Sequence, residues 1–288
     1  MGDSSNFHEA ALRSFRHGMP EDNYDDESSY PDYEKIREKL EQRKAKNAAL
    51  VPVLRHQAKQ QGRMHDYAGL SETAKQMSAL IWRGKRRELV ADFVNAAAIL
   101  TADPAYAEQG LRSLLNAAGR VPEKGEINKR RQIKKRAVLA VLAHHGDVAD
   151  VGNRIEIIER AIPQALASGE PALGHQLAEK LFDHIELTFN CYDRSGRLES
   201  VIGGARPGSA LHTDSILKLL DTVNQFDVAG GQPSIKKMKL YSIEFAKNHA
   251  LPGSHAARCA EAALTAAMEP AKPSSRHSPS SAPDWKLD

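Results

Sequence analysis

The chain has 288 residues, enough for one large domain or two small ones, and its 41% hydrophobic against 27% charged residues exclude global disorder. Aromatics are only 6% and the apolar fraction leans on Ala and Leu, the best helix formers, so an all-α fold is expected. A net charge of +3 demands no polyanionic partner, and two cysteines, Cys191 and Cys259, exclude a disulfide framework; both are expected as free thiols of a reducing compartment.

Residues 1–32 are polar and read as a disordered segment. Seven acids and no Lys or Arg fall between 21 and 34, a pattern common in interaction tails. Residues 33–69 read as an exposed charged helix, "YEKIREKLEQRKAK", followed by a linker. Its Glu/Lys pairs sit at helical spacing, and Ile36 and Leu40 make only a narrow apolar stripe. A helical domain is expected over 70–269. Within it Ser71 is a candidate cap, with Ala74, Met77 and Ile81 on one face. Leu89, Phe93, Ala96 and Leu100 form the next face. Asp103 and Pro104 read as a helix start and Gly119 as its end.

A helix over roughly 127–145 follows, ending at Gly146. After it, Ile155, Ile158, Ile162 and Leu166 repeat at helical spacing, with Pro163 as a kink. Leu173, Leu177, Leu181, Ile185 and Phe189 form an i+4 series that predicts one long buried helix. The Gly/Ser/Arg-rich stretch 192–212 reads as a loop. "TDSILKLLDTVNQF" predicts a capped helix with Ile216, Leu219, Leu220 and Val223 inward. Two final helices follow, the last turning Cys259, Ala263 and Met268 inward. Residues 270–288 are dominated by Pro and Ser and read as a disordered tail. No fixed 34- to 45-residue period with a matching signature is found. Among all-α arrangements, an irregular orthogonal bundle is therefore preferred to a short α-solenoid.

The densest charge is "KRRQIKKR", with Lys129, Arg130, Arg131, Lys134, Lys135 and Arg136. It opens a helix, the positive pole of the helix dipole, where cations are mildly unfavourable. A second cluster holds Arg83, Lys85, Arg86 and Arg87, and the two could form one interaction patch. No aromatics interleave with the basic residues, and only Gln132 could read a base edge. A contact with an acidic protein, a nuclear-import factor or the chain's own acidic segment 21–34 is therefore preferred to nucleic acid, with a solvated helix face as the plainest reading of all.

No catalytic constellation emerges, so the chain reads as more non-enzymatic than enzymatic. The enzyme alternative is a nucleophilic Cys191, with His184, His212 or His249 as base; its predicted position after a helix C-terminus argues against it. No metal-ligand spacing and no phosphate loop is present, so no metal site and no cofactor is expected. Ser29, in the acidic run, and Ser278, before Pro279, are candidate phosphorylation sites that would make kinases partners. No apolar run approaches the roughly 18 residues a membrane span needs, and no signal-peptide hydrophobic region opens the chain.

A Ser-rich start, "MGDSSNFHEAALRSF", an Ala-rich helical body and a Ser-Pro tail together resemble a bacterial type III-secreted effector, of the rhizobial nodulation-outer-protein kind. The resemblance implies secretion into a eukaryotic host cell, contact with host signalling proteins and phosphorylation by host kinases. It carries no catalytic residue. The alternative location is the bacterial cytoplasm.

Overall fold

The computed structural model describes residues 33–83, 86–120, 127–188, 190–226 and 233–268. These residues form eleven α-helices and no strand, the all-α fold that composition predicts. In chain order they are α1 (Tyr33–Met64), α2 (Tyr67–Trp82), α3 (Val90–Leu100), α4 (Ala107–Arg120), α5 (Ile127–His144) and α6 (Val151–Ala167). Then come α7 (Pro171–Asp183), α8 (Cys191–Gly204), α9 (Ala210–Asn224), α10 (Pro233–His249) and α11 (His255–Met268). The segments 1–32 and 269–288, with their expected disorder, lie outside the described residues.

The chain divides into two units, residues 1–49 and 50–288. In the first, residues 34–46 of α1 are exposed, and Lys44 pairs with Glu41 one turn away. In the second, the rest of α1 buries Val51, Leu54 and Ala58. Arg55 pins this part of the helix by donating to Asp92 and to the Glu88 carbonyl.

Helix starts follow capping chemistry. Asp66, Asp150, Asn190 and Ser209 accept backbone N–H groups at the starts of α2, α6, α8 and α9. Two predicted starts fall elsewhere. Ser71 lies a turn inside α2, buried and donating to Gln109. Asp103 accepts from the Ala105 N–H in a turn that precedes α4.

From α3 onward the helices stack in two layers. Each packs on its successor, and α4, α6, α8 and α10 also pack on one another in sequence. That nearest-neighbour order belongs to a short α-solenoid. A repeat unit is visible once the structure is known. Asp150 caps α6, and Arg154 returns through Nε and Nη2 to the Val148 carbonyl. Forty residues later Asn190 caps α8, and Arg194 returns through the same two nitrogens to the Thr188 carbonyl. The 3-10 turns His145–Asp147 and Ile185–Leu187 precede them in the same register.

Side chains also link each unit to the next. Arg160 donates to Asn116, Ser200 to Glu159 and Ser242 to Glu199, so one polar rung ties α4 to α6, α6 to α8 and α8 to α10. Burial of these alternating faces is the main stabilising term, at roughly 25 cal/mol per Å² of apolar surface removed from water.

The expected faces hold in α2, α3 and α9, where all the named apolar residues are buried. Three predictions are corrected. The long helix expected over 171–190 stops at Asp183; Leu177, Leu181 and Ile185 are buried, and Phe189 lies outside the described residues. The expected loop 192–212 is mostly helix α8, which buries Leu198, Val201 and Ile202. Leu166 and Met268 are exposed at helix ends, and Ala161, Ala165, Ala256 and Ala260 fill the inward positions. Small side chains there let the layers approach closely.

Candidate functional site

The two basic clusters are 42 residues apart in sequence and meet in one groove between α3 and α5. Leu89, fully buried in the 3-10 turn Arg87–Leu89, draws the first cluster onto the start of α3. Ile133, Ala137 and Val141 turn α5 so that Lys129, Gln132 and Arg136 share a stripe at helical spacing. The groove encloses about 530 Å³. Val90, Val94 and Ile133 make its apolar floor, and the exposed Arg87, Lys129 and Arg136 stand at its rim with Glu88, Ala91 and Asn95.

The predicted patch residues separate into distinct surroundings. Arg136 donates to Asn95 across the groove, which fixes its guanidinium at the rim. Lys135 pairs with Glu170 at the head of α7, and Arg86 pairs with Glu88. Arg131 is exposed and Lys134 half-buried; neither lines the groove. The Nε of Arg130 is buried with no hydrogen-bond partner among the described residues. Arg83 is exposed just past α2, and Lys85 lies outside the described residues. Ser29 and Ser278 also lie outside them. The groove thus keeps cations from both clusters above an apolar floor, a surface for an amphipathic acidic chain.

Cys191 is corrected in position. It is the first residue of α8, half-buried behind the Asn190 cap, and follows no helix C-terminus. No histidine hydrogen-bonds its thiol among the described residues. Cys259 instead lies 3.6 Å from His255 Nε2, one turn away on α11. His184 sits against Arg154 and His145, and burial together with those neighbours lowers its pKa below the ordinary histidine value. Among the described residues no cluster of His, Cys, Asp or Glu could hold a metal ion. No described helix is long and apolar enough to cross a membrane.

Sequence reasoning passed over two polar centres. Arg112 on α4 grips Glu156 of α6 with both terminal nitrogens, and also holds Glu108 and Asn153. Its hydrogen bonds to Glu156 come first in raising the Arg112 pKa and in lowering the Glu156 pKa. Glu199 on α8 is half-buried; desolvation raises its pKa, opposed by the Ser242 hydroxyl. The equivalence of Glu159 and Glu199, one repeat apart, was the available signal.

No protein-family model, no curated protein and no solved structure matches this chain.

Proposed function

We propose that this chain is a non-enzymatic helical interaction protein whose groove between α3 and α5 takes an acidic amphipathic segment of a partner protein. One observation carries the reading. Arg87, Lys129 and Arg136, from clusters distant in sequence, surround a floor of Val90, Val94 and Ile133. Cations over an apolar floor match an acidic helix with an apolar stripe better than a bare phosphate backbone, which offers nothing to that floor. Stacked helical repeats also suit contact work, because each added hairpin extends a continuous surface.

The test is a double charge reversal, Arg87→Glu with Lys129→Glu, in the full chain. The probes are a labelled amphipathic Glu-rich helical peptide and a 20-mer duplex DNA, titrated at two salt concentrations. The reading expects peptide binding to fall by about tenfold or more on reversal. Duplex DNA bound more tightly than the peptide, with a steep salt slope, would replace it with the nucleic-acid reading.

The setting we propose is a bacterial effector delivered into a host cell, on the strength of the Ser-rich start and the Ser-Pro tail. Residues 1–30 fused to a reporter should then be exported by a type III-competent strain and retained by a secretion-deficient one. Retention in both strains removes that setting and leaves the groove untouched.

A further inference from the structure

A second and larger cleft lies on the solenoid where the layer containing α7 and α9 opens. The preceding pair in that layer, α5 and α7, pack on each other, whereas α7 and α9 make at most marginal contact. The chain between α8 and α9 forces this gap. Gly203 and Gly204 end α8 without side chains, and Gly208, at φ +78°, turns the chain into α9. The result is a cavity of about 950 Å³, within reach of small-molecule sites.

Its walls are apolar at Leu166, Pro171, Ile202 and Pro207, and seven of its fifteen lining residues carry polar side chains. His212 is 3% exposed. Its Nδ1 accepts from the Gly208 N–H at 3.5 Å, so Nε2 carries the ring hydrogen. That Nε2 has no hydrogen-bond partner among the described residues. Burial, reinforced by nearby His249, lowers the His212 pKa below the ordinary histidine value. His175 is occupied: Nδ1 accepts from the Arg206 N–H, and Nε2 lies 3.6 Å from Glu179. His249 donates through Nδ1 to the Phe245 carbonyl and stacks on the Phe245 ring. Arg206 is the single Lys or Arg among the lining residues and makes no ion pair among the described residues.

We propose that this cleft binds a small organic carboxylate with an apolar body, held by the Arg206 guanidinium and the Nε2–H of His212. The guanidinium matches a carboxylate in a two-pronged contact, and His212 supplies a further N–H donor. The ligand is a monoanion, because one unpaired cation balances one charge and Glu179 in the wall repels a second. Its body lies along Leu166, Ile202 and Pro207, displacing water from apolar surface. The site shares no residue with the groove between α3 and α5, so the two readings fail separately.

The experiment titrates naphthalene-2-carboxylate into the full chain by calorimetry, with naphthalene-2-carboxamide and 2-naphthyl phosphate as the neutral and dianionic comparisons. Nitrogen-edited NMR of the histidine rings is read in parallel. One-site saturable binding of the carboxylate is expected, with Kd of about 1 mM or tighter. The carboxamide and the phosphate should bind more weakly, and the His212 ring resonances should shift. Arg206 is exposed, so Arg206→Gln should leave the melting temperature unchanged; it should weaken the carboxylate about tenfold and spare the carboxamide. Absence of saturable binding overturns the proposal. So does equal affinity for the carboxamide, or an Arg206→Gln variant that binds the carboxylate as tightly as the parent chain.

Discussion

Two glycines of α8 make opposite predictions from one helix. At Gly196 an added methyl group meets nothing within 4 Å. At Gly204 it would stand 2.7 Å from Ile162 Cγ2 and 3.2 Å from the Gly174 carbonyl, where α8 crosses α6 and α7. Alanine is favoured over glycine inside a helix by roughly 0.5–1 kcal/mol, so Gly196→Ala should stabilise by about that much. At Gly204 the propensity gain is smaller, because the residue ends the helix. Overpacking there costs about 1–3 kcal/mol, for a net loss of about 1–2 kcal/mol. At roughly 2–4 °C per kcal/mol for a domain of 150–250 residues, Gly196→Ala should raise the melting temperature by about 1–4 °C and Gly204→Ala lower it by about 2–8 °C. Thermal unfolding followed by far-ultraviolet circular dichroism gives both values. A Gly196→Ala shift of zero would mean that residue 196 lies in a loop. Shifts of the same sign in both variants would refute the close crossing.

Glu199→Gln keeps an acceptor for the Ser242 hydroxyl and removes a half-buried charge. A raised carboxyl pKa contributes stability below the unfolded value, near 4.5, that is lost as pH rises through the folded value. The variant should therefore melt higher than the parent at pH 7 and lose that advantage at pH 4. For Glu156 the sign reverses. Its pKa is lowered, so its contribution is present above the unfolded value and lost as pH falls through the folded one. Arg112→Gln should cost about 1 kcal/mol at pH 7, because both partners are partly exposed and solvent screens the pair, and less in acid. Urea denaturation at the two pH values separates these effects.

Much of the fold was legible in one dimension. Leu89, Phe93, Ala96 and Leu100, or Ile216, Leu219, Leu220 and Val223, define buried helix faces by spacing alone. The charged start and apolar line of α5 were legible in the same way. The helix starts were less so, because Ser71 and Asp103 match the capping preference as well as Asp66 and Ser209 do. Helix α8 was missed because Gly196, Gly203 and Gly204 mask a short apolar stripe, Leu198, Val201 and Ile202. The Asn190 cap and that 3–4 spacing were the signals present.

The sequence by itself determined what local physics controls: helix content, most inward faces and the two basic clusters. Only the tertiary structure decided which distant segments meet. The groove needs Arg87 beside Lys129 and Arg136, and the larger cleft needs His175, His212 and His249 on three different helices. Those meetings depend on how far apart neighbouring helices stand. Small residues such as Gly174 and Gly204, and a left-handed turn at Gly208, set that spacing through contacts that no local pattern encodes.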